Sequence, residues 1–212
     1  MRKSLLTLVL SGLALPLFLG CGGGSSSAPA VPAQVQAQGL AYTNPIGSRW
    51  SLVKDASSTP GRLVLNVVGP AGTLTRGVGF NINAPQGVVF DTFANGLPIN
   101  DTGVYELDSA TANPGDPVAL VGALKPGNLL TVGIYQKRLE KTSKDSGAAL
   151  CQIALRLDPA AKVTVGHGFT LTVPKAKIIP DDIGSSTDST YALSQKLRMQ
   201  DISLTVGTLT AN

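Results

Sequence analysis

The chain has 212 residues, of which 14% are charged and 5% aromatic, and its formal charge is +4. No stripe of Lys and Arg interleaved with aromatic side chains appears, which argues against a nucleic-acid partner. Glycine (24) and proline (14) stand above average usage, a mix that suits short strands and many turns.

Arg2 and Lys3 precede an apolar run over residues 5–19. A positive start followed by such a run is the pattern of a signal peptide. The run falls short of the ~20 residues a membrane-spanning helix needs. It ends in Leu17-Phe18-Leu19-Gly20-Cys21-Gly22. This stretch resembles the lipobox of bacterial lipoproteins, with Phe18 standing where such motifs carry Leu, Val or Ile. The resemblance implies cleavage between Gly20 and Cys21, a diacylglyceryl thioether on the Cys21 sulfur, and acylation of the new amino terminus. Gly22, where Asp favours inner-membrane retention in enteric bacteria, implies the outer membrane. Each buried acyl CH₂ adds about 0.8 kcal/mol, so two or three chains hold where one does not. Loss of Arg2 and Lys3 with the leader lowers the formal charge to +2.

Residues 22–39 are a Gly, Ser, Ala, Pro and Gln tract, too poor in large apolar side chains to offset the entropy of ordering. They read as a flexible tether with a reach of roughly 20–25 Å. The expected organisation is a signal peptide over 1–20, a lipidated tether over 21–40 and one domain over 41–212. Trp50, the only Trp, reads as a lid on the core at the head of a first edge strand over 50–53.

From residue 62 the pattern has period two. Leu63, Leu65 and Val67 share one face; Val78, Phe80 and Ile82 share another; 88–93 continues the theme. Turn clusters Gly69-Pro70-Ala71-Gly72 and Ala84-Pro85-Gln86-Gly87 separate them. Residues 104–107 and 118–124 are short strand candidates, with turns at Asn113-Pro114-Gly115-Asp116-Pro117 and Lys125-Pro126-Gly127-Asn128. Residues 129–135 and 148–157 both alternate and are expected to pair as a hairpin. Its tip would carry Lys137, Arg138, Lys141 and Lys144 with Glu140 and Asp145 and reads as a solvated loop. Phe169, Leu171 and Val173 form a strand ended by Pro174, and a shorter piece at 177–179 stops at Pro180. Leu193 and Leu197 allow at most one short helix near 190–199, after which Ile202, Leu204 and Val206 open a closing strand.

Alternating strands and Gly/Pro turns with few helices give an all-β chain, an antiparallel β-sandwich. Gly79-Phe80-Asn81-Ile82-Asn83-Ala84-Pro85, then Val88 and Phe90, resembles the early strand pair of cohesin-like domains. Ala148-Ala149-Leu150-Cys151-Gln152-Ile153-Ala154-Leu155 resembles their later strand, and the stretch 202–210 their closing strand. The resemblance implies a cohesin-like jelly roll over about 61–210; an immunoglobulin-like sandwich fits the same alternation. The aromatic-Asp-Pro corner of that family is missing, Ala84-Pro85 standing in its place, and 95–128 and 181–191 look like insertions. No partner-contact residue can be matched, so ligand-binding residues stay unassigned.

Few residues carry catalytic or ligand-binding chemistry in a recognisable pattern. Cys151 alternates with Ala149, Ile153, Leu155 and Leu157, which makes it a small hydrophobe on a core face. His167, the only His, lies in a turn, and no G-x-S-x-G elbow accompanies it. Residues 181–188 gather Asp, Ser and Thr oxygens but lack the spacing of a calcium loop, and read as a surface loop. No catalytic, metal or cofactor residues are therefore assigned. The sequence points to an envelope lipoprotein, held to the membrane by its lipid, whose non-catalytic β-sandwich binds a protein or carbohydrate partner. A structural or assembly accessory of a surface or secretion complex is the alternative, and a hydrolase using His167 or the Asp loops the third.

Overall fold

A computed structural model describes residues 34–47, 49–107, 120–136, 142–181 and 199–212. Cys21 and Gly20, expected as the lipidation and cleavage positions, lie outside these, as do residues 190–198 of the expected helix and residues 182–188. Among the described residues there is no helix.

Fourteen strands follow in order: β1 (Leu40–Thr43), β2 (Ser51–Lys54), β3 (Leu63–Val68), β4 (Leu74–Asn83), β5 (Val88–Asp91), β6 (Ile99–Asp101), β7 (Leu120–Lys125), β8 (Leu129–Tyr135), β9 (Lys144–Asp145), β10 (Cys151–Leu157), β11 (Gly168–Phe169), β12 (Thr172–Pro180), β13 (Gln200–Asp201) and β14 (Thr208–Ala211). A five-stranded sheet runs β2-β3-β10-β5, with β6 also on β10. A six-stranded sheet runs β13-β12-β4-β8-β7, with β9 on β4. A three-stranded sheet, β1-β14-β11, joins the two ends of the described chain. Every pairing between these strands is antiparallel.

Period-two alternation explains the layering, because every second side chain of a strand leaves the same face. Leu63, Leu65 and Val67 of β3 and Cys151, Ile153 and Leu155 of β10 are buried from one sheet. Val78, Phe80 and Ile82 of β4 and Leu130, Val132 and Ile134 of β8 are buried from the other. All twelve belong to one hydrophobic core, which makes the arrangement a β-sandwich. The turns at 69–72 and 84–87 carry the chain from one sheet to the other, since β3, β4 and β5 alternate between them.

The expected hairpin of 129–135 with 148–157 does not form. β8 lies between β4 and β7, whereas β10 lies in the opposite sheet against β3, β5 and β6. Both strands carry an apolar face, and those faces meet across the core instead of lying side by side. The β7–β8 hairpin takes its place. Its register closes at Lys125–Leu129 around Gly127 and Asn128, whose φ of 79° and 58° meet the left-handed requirement of a tight turn.

Pro174 does not end a strand. β12 runs through it to Pro180, and the register on β4 shifts between Thr172 and Lys175. A bulge there absorbs the residue that cannot donate to the ladder. The expected closing strand is interrupted as well. Residues 202–207 join β13 to β14, and Thr205 exchanges backbone bonds with Trp50 and Leu52 at 2.8 and 2.9 Å. A Cβ at Gly207 would overlap the Thr43 carbonyl oxygen, so the chain crosses β1 there only with glycine.

The tether expected to reach residue 40 gives way earlier to the folded body. Ala37 N–H donates to Val163 O at 2.8 Å, and Gln38 and Gly39 N–H both donate to Asn212 O, at 2.8 and 2.9 Å. These bonds satisfy amides that the low-complexity composition alone would leave to water. Tyr42 fastens the same region: its hydroxyl donates to Leu52 O at 2.9 Å and accepts from Gly207 N–H at 2.6 Å. Burial holds that phenol above its ordinary pKa.

Candidate binding face

The two large sheets present unlike outer faces. On the six-stranded sheet the residues between the core positions point outward, and the register sets them in rows. One row is Lys175, Asn81, Thr131 and Ala123. The next is Asp201, Lys177, Gly79, Gly133 and Val121. Gly77 and Tyr135 follow in a third row. Gly79 and Gly133 pair directly, so the middle of this face has backbone where other sheets carry side chains.

The result is a shallow trough of about 280 Å³, bordered by Asn81, Thr131, Lys175, Lys177 and Met199. Met199 is 54% exposed at its rim. Lys177 Nζ pairs with Asp201 Oδ1 at 2.7 Å, and that carboxylate is 79% exposed. The Lys177 hydrogen bond, then its charge, then the charge of Lys175 hold Asp201 below the ordinary carboxylate range. The trough thus offers ammonium, amide and hydroxyl groups around a flat floor.

On the five-stranded sheet the outer polar side chains pair mostly with one another, although Asn66 Oδ1 is buried without a hydrogen-bond partner. Asn66 Nδ2 donates to Asp55 Oδ2 at 2.7 Å, and Asn100 Nδ2 donates to Gln152 Oε1 at 3.1 Å. Arg62 pairs with Asp91 at 2.7 Å and lies 4.5 Å over the Phe93 ring, while Arg156 approaches Asp91 at 3.8 Å. Val64 and Ala154 point outward on this sheet yet are 1% and 0% exposed. Asp55 is held below the ordinary carboxylate range, chiefly by the Ser57 hydroxyl and backbone N–H.

The residues singled out in the sequence do not converge. Trp50 is buried, as its lid reading expects. Cys151 is fully buried, and desolvation, with the Asp101 charge, pushes its thiol far above the ordinary range; such a thiol is inert. His167 is an exposed turn residue, its ring edge-on to Phe169 at 4.9 Å. Asp181, the one described member of the 181–188 loop, pairs with Arg76 at 3.5 Å. Lys137, Arg138, Glu140 and Lys141 lie outside the described residues. Lys144 reaches Glu106 at 2.8 Å, and Asp145 accepts from the backbone N–H of Gly72 and Gly147. Among the described residues no group of three or more His, Cys, Asp or Glu side chains could hold a metal ion.

Asn81, Thr131, Lys175 and Lys177 were not singled out, because only the register brings them together. A signal was present: Gly77, Gly79 and Gly133 sit inside strands, where glycine marks a bare patch of sheet.

No protein-family model and no curated protein matches the chain. Solved structures do. A chain of the CaDoc0917–CaCohA2 complex superposes with a TM-score of 0.50 at 12% identity, over 76% of this chain and 99% of that one. The sixth cohesin of scaffoldin B from Acetivibrio cellulolyticus, solved in complex with a Cel5 dockerin, gives 0.48 at 10% identity, over 77% and 97%. The seventh ScaB type I cohesin from Pseudobacteroides cellulosolvens gives 0.42 at 9% identity, over 74% and 88%. The fold is a cohesin-like β-sandwich.

Proposed function

We propose that the chain is a non-catalytic binding module, that its partner is a protein, and that the partner docks on the outer face of the six-stranded sheet. The observation that carries this is the contrast between the faces. One is tied up by its own Arg, Asp and amide side chains, and the other is open, glycine-floored and lined with unspent donors. The neighbour of like fold, solved as a complex with a second protein, supports a protein ligand. We further propose that Cys21 is lipidated and holds the module in the bacterial cell envelope, at the outer membrane, on the strength of the Leu17–Gly22 stretch.

A photo-reactive phenylalanine analogue placed at Thr131, or in a second strain at Gln152, tests the face in living cells. A discrete protein adduct from position 131 and none from 152 is the expected result. Adducts from 152 alone would overturn it. Metabolic labelling with a palmitate analogue tests the anchor: the wild type should label and Cys21→Ser should not, and equal labelling would end that reading.

A further inference from the structure

Resting on the docking reading above, we infer that the segment seated in the trough is acidic, with carboxylates facing Lys175 and Lys177. Among the described residues, the rows through β13, β12, β4, β8 and β7 carry Lys125, Lys175 and Lys177 against one carboxylate, Asp201, while Lys144 and Asp145 sit apart on β9 at the far end of β4. Asp201 is already committed to Lys177 at 2.7 Å. Lys175 is exposed, and among the described residues it forms no ion pair. Its charge still reaches Asp201, so the two ammonium groups share one carboxylate and leave positive charge uncompensated.

The geometry says where a complementary charge would go. Lys175 and Lys177 are alternate residues of β12, so they lie on one side of the sheet about 7 Å apart along the strand. Carboxylates at similar spacing on a docking segment would reach both. Beside them the paired glycines Gly79 and Gly133 leave room for the backbone of that segment, and exposed Met199 supplies a pliable apolar contact. A basic or neutral segment would leave Lys175 uncompensated at the edge of a drying interface, which disfavours it.

The adduct formed from the photo-reactive residue at Thr131 is the readout. With Lys175→Glu and Lys177→Glu introduced together, adduct yield should fall about tenfold, while the Lys175→Arg, Lys177→Arg pair should keep it. In envelope preparations carrying the wild-type lysines, raising salt to roughly 0.5 M should lower the yield, because screening shortens the reach of exposed charges. Mass spectrometry of the adduct should place the cross-link in a segment rich in Asp or Glu. An unchanged yield in the glutamate pair, with an unfolding midpoint matching wild type, would overturn the acidic partner while leaving the docking face standing. No adduct from Thr131 even with the lysines intact would remove the docking face itself, and this inference with it.

Discussion

The two outer faces of this sandwich are built on the same alternation yet end in opposite states. On the five-stranded sheet, outward Val64 and Ala154 are covered and the polar side chains spend hydrogen bonds on one another: Arg62 on Asp91, Asn66 on Asp55, Asn100 on Gln152. On the six-stranded sheet, the outward rows mix glycines, short polar side chains and lysines with Val121, Ala123 and Tyr135, and among the described residues of these rows the ion pair is Lys177 with Asp201. A β-sandwich needs only its inner faces to fold, so the outer faces are free to diverge. A face that binds nothing can be closed by local pairing, and a face that binds must leave donors unspent. If the proposed docking holds, the difference separates a face that stabilises from a face that recognises within one fold.

Three measurements would break or sharpen that contrast. The largest effect strikes the core that both faces share. Tyr105 and Cys151 are buried, and Tyr42 is nearly so; desolvation raises all three pKa values. The unfolded chain then loses protons at ordinary pH values that the folded one keeps. Stability is therefore full at neutral pH and falls as pH rises past the ordinary thiol value of about 8.5 and then the ordinary phenol value of about 10. Urea unfolding at stepped alkaline pH checks this, and a flat profile would contradict it.

Next comes a direct comparison of the faces. Ala154→Arg forces a long side chain into a fully buried outward position between Val64 and Asp91, and the overpacking should cost about 3 kcal/mol even with a carboxylate beside it. Thr131→Arg on the open face should cost less than about 0.5 kcal/mol. Equal losses would show that the second face is not open. The smallest effect lies among the ion pairs. Asp91→Ala removes the carboxylate shared by two partly exposed guanidinium groups and should cost about 1 kcal/mol. Lys175→Ala should leave the urea midpoint within error while weakening any partner bound in the trough.

Much of this was legible in the residues themselves. The core faces of β3, β4, β8 and β10 follow from alternation, and so does the inert position of Cys151, while the burial of Trp50 follows from its being a large apolar side chain read as a lid on the core. Pairing was not legible. Alternation shows which side of a strand is apolar and is silent about which strand lies beside it. Hence 129–135 and 148–157, each with a clean apolar face, read as a hairpin although they belong to opposite sheets. Pro174 misled for a related reason: a bulge that lets a strand pass a proline is a property of two strands. The candidate binding face was least legible, because Lys175, Asn81 and Thr131 are distant in sequence and meet only through the β12–β4–β8 register.

The clasp between β1 and β14 carries a mechanical consequence. Leu40 lies opposite Ala211 and Thr43 opposite Thr208, with Gly39 and Asn212 exchanging backbone bonds beyond them. Tension applied between residues 39 and 212 would enter at one end of this ladder and open it rung by rung, which takes little force. A pull on residue 39 along the axis of β1, resisted by the rest of the body, would load all four rungs at once. The Tyr42 hydroxyl, bridging Leu52 and Gly207, would add a lock to the far end. A single-molecule stretch in each geometry should therefore find two very different rupture forces in the same four-residue strand.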